Sequence, residues 1–166
     1  MNPIDTTARS ATTGVGSDPA DPTVSARRAV MALAAKATAG ELRPVRDLAP
    51  SGVIDLRLAE TGLVMLRGRI GGSGAPFNLG EATVSRAAVR LPSGATGFGH
   101  VLGRDRAKAR DAALLDALWI EGTSRDRLER EILTPLAARI ARDETRRVSE
   151  VAATRVDFFT LVRGDD

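Results

Sequence analysis

The spacing of apolar residues changes twice along the chain, and these changes constrain the fold more than any other feature. Between Ile54 and Leu102 apolar and polar residues alternate, whereas on either side apolar residues recur every three or four positions. Period two belongs to half-buried strands and a period near 3.6 to helices. The chain therefore reads as helices, then strands, then helices, which is an α+β order. Its 166 residues suit one domain with its own core.

Within the strand block, Ile54, Leu56 and Leu58 alternate with Asp55 and Arg57. After Glu60-Thr61-Gly62, Val64, Leu66 and Ile70 repeat the pattern. The two runs read as a hairpin. A third strand spans Phe77 to Leu91, but its apolar phase shifts between Ala82/Val84 and Ala87/Val89/Leu91, which places a β-bulge near Ser85-Arg86. Pro92-Ser93-Gly94 turns into a fourth strand, Thr96 to Leu102. The expectation is an antiparallel four-stranded meander packed with N-terminal and C-terminal helices.

Residues 1–22 are rich in Thr, Ser, Gly, Asp and Pro and read as a disordered leader to a single domain over 23–166. A first helix, capped by Thr23 or Ser25, sets Val30, Leu33 and Ala37 on one face and ends at Gly40. The same stretch also has the outline of a twin-arginine export signal: Arg27-Arg28, the apolar run Ala29 to Ala35, then Ala37-Thr38-Ala39. Gly40 to Ala49 forms a further short helix, kinked or started at Pro44. Beyond the strands, Asp105 caps a helix that runs to Ile120, buries Leu114, Leu115 and Leu118, and ends at Glu121-Gly122. Ser124 starts another, with Leu128, Ile132, Leu136 and Ile140 at intervals of four and a break or restart at Pro135. A last helical stretch carries Val148 and Val151. No apolar run is long enough to span a membrane.

Composition limits the chemistry. The chain has no Cys and one His, so a thiolate nucleophile and a Cys-held cluster are excluded. Of its 24 basic residues, 22 are Arg, whose planar fork suits phosphate and carboxylate. Tyr is absent and aromatic residues amount to 3%, which argues against a single-stranded nucleic-acid reader. The mixed charges from Arg125 to Arg147 read as a solvated helical face. Gly71, Gly72 and Gly74 lack the Lys-Ser/Thr of a phosphate loop and lead into a strand, so they read as a turn. Gly97, Gly99 and Gly103 read as close backbone approach. His100 shares parity with Phe98 and Leu102, which makes it a core-packing residue if that side is buried. Arg86, Arg90 and Arg104 are the candidate anion-binding residues of a free-standing nucleotide-binding protein, with no catalytic pair and no metal set. The apolar ending, with Val156, Phe158, Phe159, Leu161 and Val162, reads as a docking segment over about 156–166.

Taken together, ETGLVMLRGRIGGSG, FNLGEATVSRAAVRL, GHVLGRD with LLDAL, and RVDFFTLVRGDD resemble the PhnG family, the small subunit of the carbon–phosphorus lyase core complex. The resemblance runs from the first helix to the C-terminus. The leader is longer than the family pattern, and His100 stands where that pattern has a large aromatic residue. The resemblance implies an accessory subunit of a complex in which a phosphonate displaces adenine from ATP, giving ribose 1-phosphonate 5-triphosphate. It further implies that the larger I subunit holds the chemistry and that ATP is a substrate of the complex, with no cofactor bound by this chain alone. A cytoplasmic location follows from the same resemblance, while the scarcity of aromatics and the lack of a spanning run speak against nucleic-acid and membrane partners. Residues 24–39 then correspond to the family's first helix rather than to an export signal.

Overall fold

The computed structural model describes residues 22–71 and 74–153. Three helical segments come first: α1 (Pro22–Lys36), α2 (Ala39–Leu42) and α3 (Val45–Leu48). A sheet follows, built from β1 (Ile54–Arg69), β2 (Pro76–Arg90) and β3 (Thr96–Leu102). The chain closes with α4 (Arg106–Glu121), α5 (Arg125–Leu128), a π-helical turn (Glu129–Leu133) and α6 (Thr134–Ala153). The class is α+β as expected, but the sheet has three strands, antiparallel and in the order β1-β2-β3.

The missing fourth strand has a simple cause. Glu60-Thr61-Gly62 does not turn; Thr61 pairs with Ser85 and Gly62 with Val84, so both apolar runs belong to one strand. The expected bulge at Ser85-Arg86 is not in β2, whose register with β3 is unbroken from Val84 to Arg90. The irregularities lie between β1 and β2, and two of them place extra β1 residues opposite Arg86 to Val89. The phase shift in β2 marks a change of covering instead. Ala87 and Val89 face the helices and are buried, whereas Ala82 and Val84 point to the other side of the sheet.

The helical expectations also need adjustment. α1 begins at Pro22, a residue whose fixed φ suits a first helical position, so Thr23 and Ser25 lie inside it. Gly40 does not end α1 but sits within α2, which is capped by a Thr38–Glu41 box. Asp105 caps α4 through the Lys108 amide (2.8 Å), and Gly122 ends it in the left-handed conformation, both as expected. Ser124 precedes α5 without a side-chain cap bond, and α6 runs unbroken through Val148 and Val151.

α4 is the centre of the molecule. Every residue from Asp111 to Trp119 is buried, because β2 and β3 cover one side and α1, α2, α3 and α5 cover the others. Leu114, Leu115, Leu118, Leu128, Ile132 and Leu136 fill the core. Contact with β3 is unusually close. A Cβ at Gly97 would collide with the main chain of Ala113 and Ala117, and one at Gly99 with that of Ala109 and Ala113. Small residues on both elements let the helix lie directly on the strand.

Charged side chains tie α4 to the N-terminal helices. Arg27 on α1 donates two hydrogen bonds to Asp116, each 2.7 Å, and Asp116 Oδ2 also accepts the Phe98 amide at 2.8 Å. Arg46 on α3 binds Asp111 in the same forked way, at 2.7 and 3.0 Å. Among the described residues no buried side-chain polar atom lacks a partner.

Glu41 links the α2 cap to α6. Its carboxylate accepts Arg139 at 2.8 and 3.1 Å and the Thr38 amide at 2.8 Å. The Arg139 hydrogen bonds, opposed by partial burial and helped by Thr38, hold its pKa down to about 2 from 4.5. A depressed carboxylate contributes stability that is complete above about pH 4.5 and is lost as pH falls toward 2. Glu41→Gln is expected to cost about 1 kcal/mol at pH 7 and to leave wild type and variant equally stable near pH 2. Urea unfolding at a series of pH values reads this difference.

Candidate functional site

The three candidate arginines do not converge. Arg86 and Arg90 lie on the same face of β2, four residues or about 13 Å apart along the strand. Arg104 lies beyond the end of β3, exposed, and the α4 amide beside it is taken by Asp105. Arg86 is already engaged, with Nε donating to Glu60 Oε1 at 2.8 Å, and Arg57 reaches the same oxygen at 2.8 Å. The Arg86 hydrogen bond holds the Glu60 carboxyl below its usual pKa. The docking candidates Val156, Phe158, Phe159, Leu161 and Val162 lie outside the described residues.

His100 is not a core residue. The inner face of β3 carries Gly97, Gly99 and Val101, so Phe98, His100 and Leu102 point outward, with Leu102 79% exposed. His100 borders two hollows. One, of about 380 Å³, lies between α1 and β3, with Val24, Met31 and Phe98 as its apolar wall and the Arg27–Asp116 pair beneath. The other, of about 210 Å³, lies on the outer face beside Arg57 and Arg86. Among the described residues no cluster of His, Asp and Glu is placed to hold a metal.

The glycine-rich loop behaves as architecture. Gly71 adopts φ +63°, the Gly74 amide donates to the Ile70 carbonyl at 3.0 Å, and Arg69 donates to the Gly74 carbonyl. This turn closes a long hairpin. β3 pairs with β2 only from Val84 to Arg90, so residues 62 to 83 extend as a two-stranded arm beyond the helices. The arm is heavily apolar and bare. Leu63 is 63% exposed and Leu66 41%, and Met65, Ile70, Phe77 and Leu79 are also exposed. Sequence reading took the same alternation as a sign of burial and so missed this surface.

Residues 25–164 match the family model described as phosphonate metabolism protein PhnG. The chain belongs to the PhnG family. A Rhizobium meliloti (strain 1021) protein, alpha-D-ribose 1-methylphosphonate 5-triphosphate synthase subunit PhnG, is 51% identical over 148 residues, which is 88% of this chain and 94% of that one. The PhnG match includes α1 from Ser25 onward, the arm and α4, so the paired Arg27 and the exposed hairpin both belong to the family region. Among the described residues no helix is long and apolar enough to cross a membrane.

Proposed function

We propose that this chain is an accessory subunit of an assembly that makes a ribose 1-phosphonate 5-triphosphate from ATP and a phosphonate. A phosphonate oxygen bonds to C1′ of the ATP ribose while the bond from C1′ to adenine breaks, and adenine leaves with a proton. The observation that carries this reading is the 51% identity, over 88% of this chain, to a protein named as a subunit of that synthase. The bare apolar arm supports a role in assembly, because a free-standing chain gains nothing from exposing it. In this reading the larger I subunit holds the reacting groups, and this chain completes the complex in the cytoplasm, where ATP is supplied.

The test is co-expression of the remaining synthase subunits with and without this chain, followed by measurement of ATP-dependent adenine release in the presence of methylphosphonate. Release is expected to fall at least tenfold without the chain, and undiminished release would overturn the reading. Calorimetric titration of ATP into the chain alone addresses the free-standing arginine-based binder, which requires tight binding without partners.

A further inference from the structure

We propose that the outer face of the sheet and the arm that continues it form one docking surface for a different protein subunit, whose complementary surface offers apolar grooves edged by carboxylates. This inference rests on the accessory-subunit reading and deepens it.

The strand register makes the apolar surface continuous. Val84 pairs with Leu102, and Ala88 with Phe98, so their side chains share the outer face with His100 and Arg86. Val64 pairs with Ala82 and Leu66 with Gly80 on that same face, and Phe77 lies over Gly68 further along. A stripe therefore runs from Phe98 (48% exposed), through Leu102, to Val64, Leu66 and Phe77. α4 occupies the inner face, and α1 borders the stripe only at its Phe98 end, across the hollow lined by Val24 and Met31.

The size suits an interface. The free part of β2, residues 76–83, spans about 26 Å, and two strands about 4.8 Å apart make a band about 10 Å wide. Both faces of the arm thus offer about 500 Å², and the sheet face brings the total near the ~800 Å² per partner of a standard interface. A two-stranded ribbon is marginal in water by itself, so a partner that wraps it also stabilises it.

Charge selects the partner. The outer face holds Arg57, Arg86 and Arg90 against Glu60, and the opposite face of the arm carries Arg67 and Arg69 against Glu81. Arg67 and Arg90 have no carboxylate partner among the described residues. Two copies meeting through this face would set one cationic cluster against another, whereas a subunit with carboxylates at its rim would be attracted and oriented.

The experiment tags another synthase subunit, co-expresses the complex, and quantifies how much of this chain is retained. Val64→Asp/Leu66→Asp is expected to reduce retention at least tenfold, while the thermal unfolding of the variant chain alone stays unchanged. Val148→Asp/Val151→Asp on α6, which alters exposed apolar residues elsewhere, is expected to be retained like wild type. Arg67→Glu/Arg90→Glu, which does not touch the apolar stripe, is expected to weaken retention most at low salt. Normal retention of both the arm and charge variants would overturn the proposal, as would loss confined to the α6 variant. Sedimentation of the chain alone as a dimer that Val64→Asp/Leu66→Asp dissociates would overturn it in favour of a second copy. Failure of the wild-type chain itself to be retained would overturn the accessory-subunit reading instead.

Discussion

Gly99→Ala is expected to destabilise the chain by about 3 kcal/mol or more, and Gly99→Val to prevent folding. Overpacking a core ordinarily costs about 1–3 kcal/mol, because neighbouring side chains give way. Here the neighbours of an added methyl are main-chain atoms of Ala109, in the first turn of α4, and Ala113, in its fully buried stretch. They cannot turn aside; α4 would have to lift off β3 as a whole. Lifting it would also loosen the bond from the Phe98 amide to Asp116. Gly103→Ala serves as a control, since a Cβ there meets open space and its cost comes from the positive φ of +90° alone. The single tryptophan, Trp119, is buried on α4, so its fluorescence during urea unfolding reports the stability of all three proteins.

The second large effect is expected at Asp116. Removing its carboxylate with Asp116→Ala should cost about 2–3 kcal/mol. The two groups it serves respond differently. Arg27 is 41% exposed in its side chain and can turn into water, so its stranded charge costs little. The Phe98 amide is fixed on β3 and loses the Asp116 acceptor, which accounts for most of the penalty. Asp116→Asn retains an acceptor for that amide and should cost about 1 kcal/mol, close to the cost of Arg27→Ala. If Asp116→Asn proved as harmful as Asp116→Ala, the ion pair rather than the amide would be the main contribution.

The helices were largely legible in the sequence because their signals are local. Asp105 and Gly122 bracket α4, and Leu128, Ile132 and Leu136 recur at the interval that the core uses. The sheet was harder to read for two physical reasons. Both apolar runs of β1 fall on even-numbered positions, as one strand requires, but Gly62 between them resembles a turn. In β3 the usual inference is inverted: apart from Val101 the face against the helix is made of Gly97 and Gly99, so Phe98 and Leu102, which signal burial, stand on the open side. His100 was misplaced with them. The partners of Arg27 and Arg46 lie 89 and 65 residues away, and nothing local announces them. The arm surface was visible as a pattern but not as a surface, because alternation alone does not say whether anything covers the strand.

The bond between Asp116 and the Phe98 amide has a consequence for how the sheet can grow. It occupies a main-chain donor on the free rim of β3, and Arg27 is held against the same place. Among the described residues no side chain reaches the main chain of β1, whose rim is open over its 16 residues. The rim beside β3 is thus engaged from within at Phe98, whereas β1, and β2 over residues 76–83 where β3 does not reach, keep an open rim. A strand added to this sheet would therefore meet a free rim along β1 or along the arm rather than at Phe98, and the carboxylate that secures the core sets that preference.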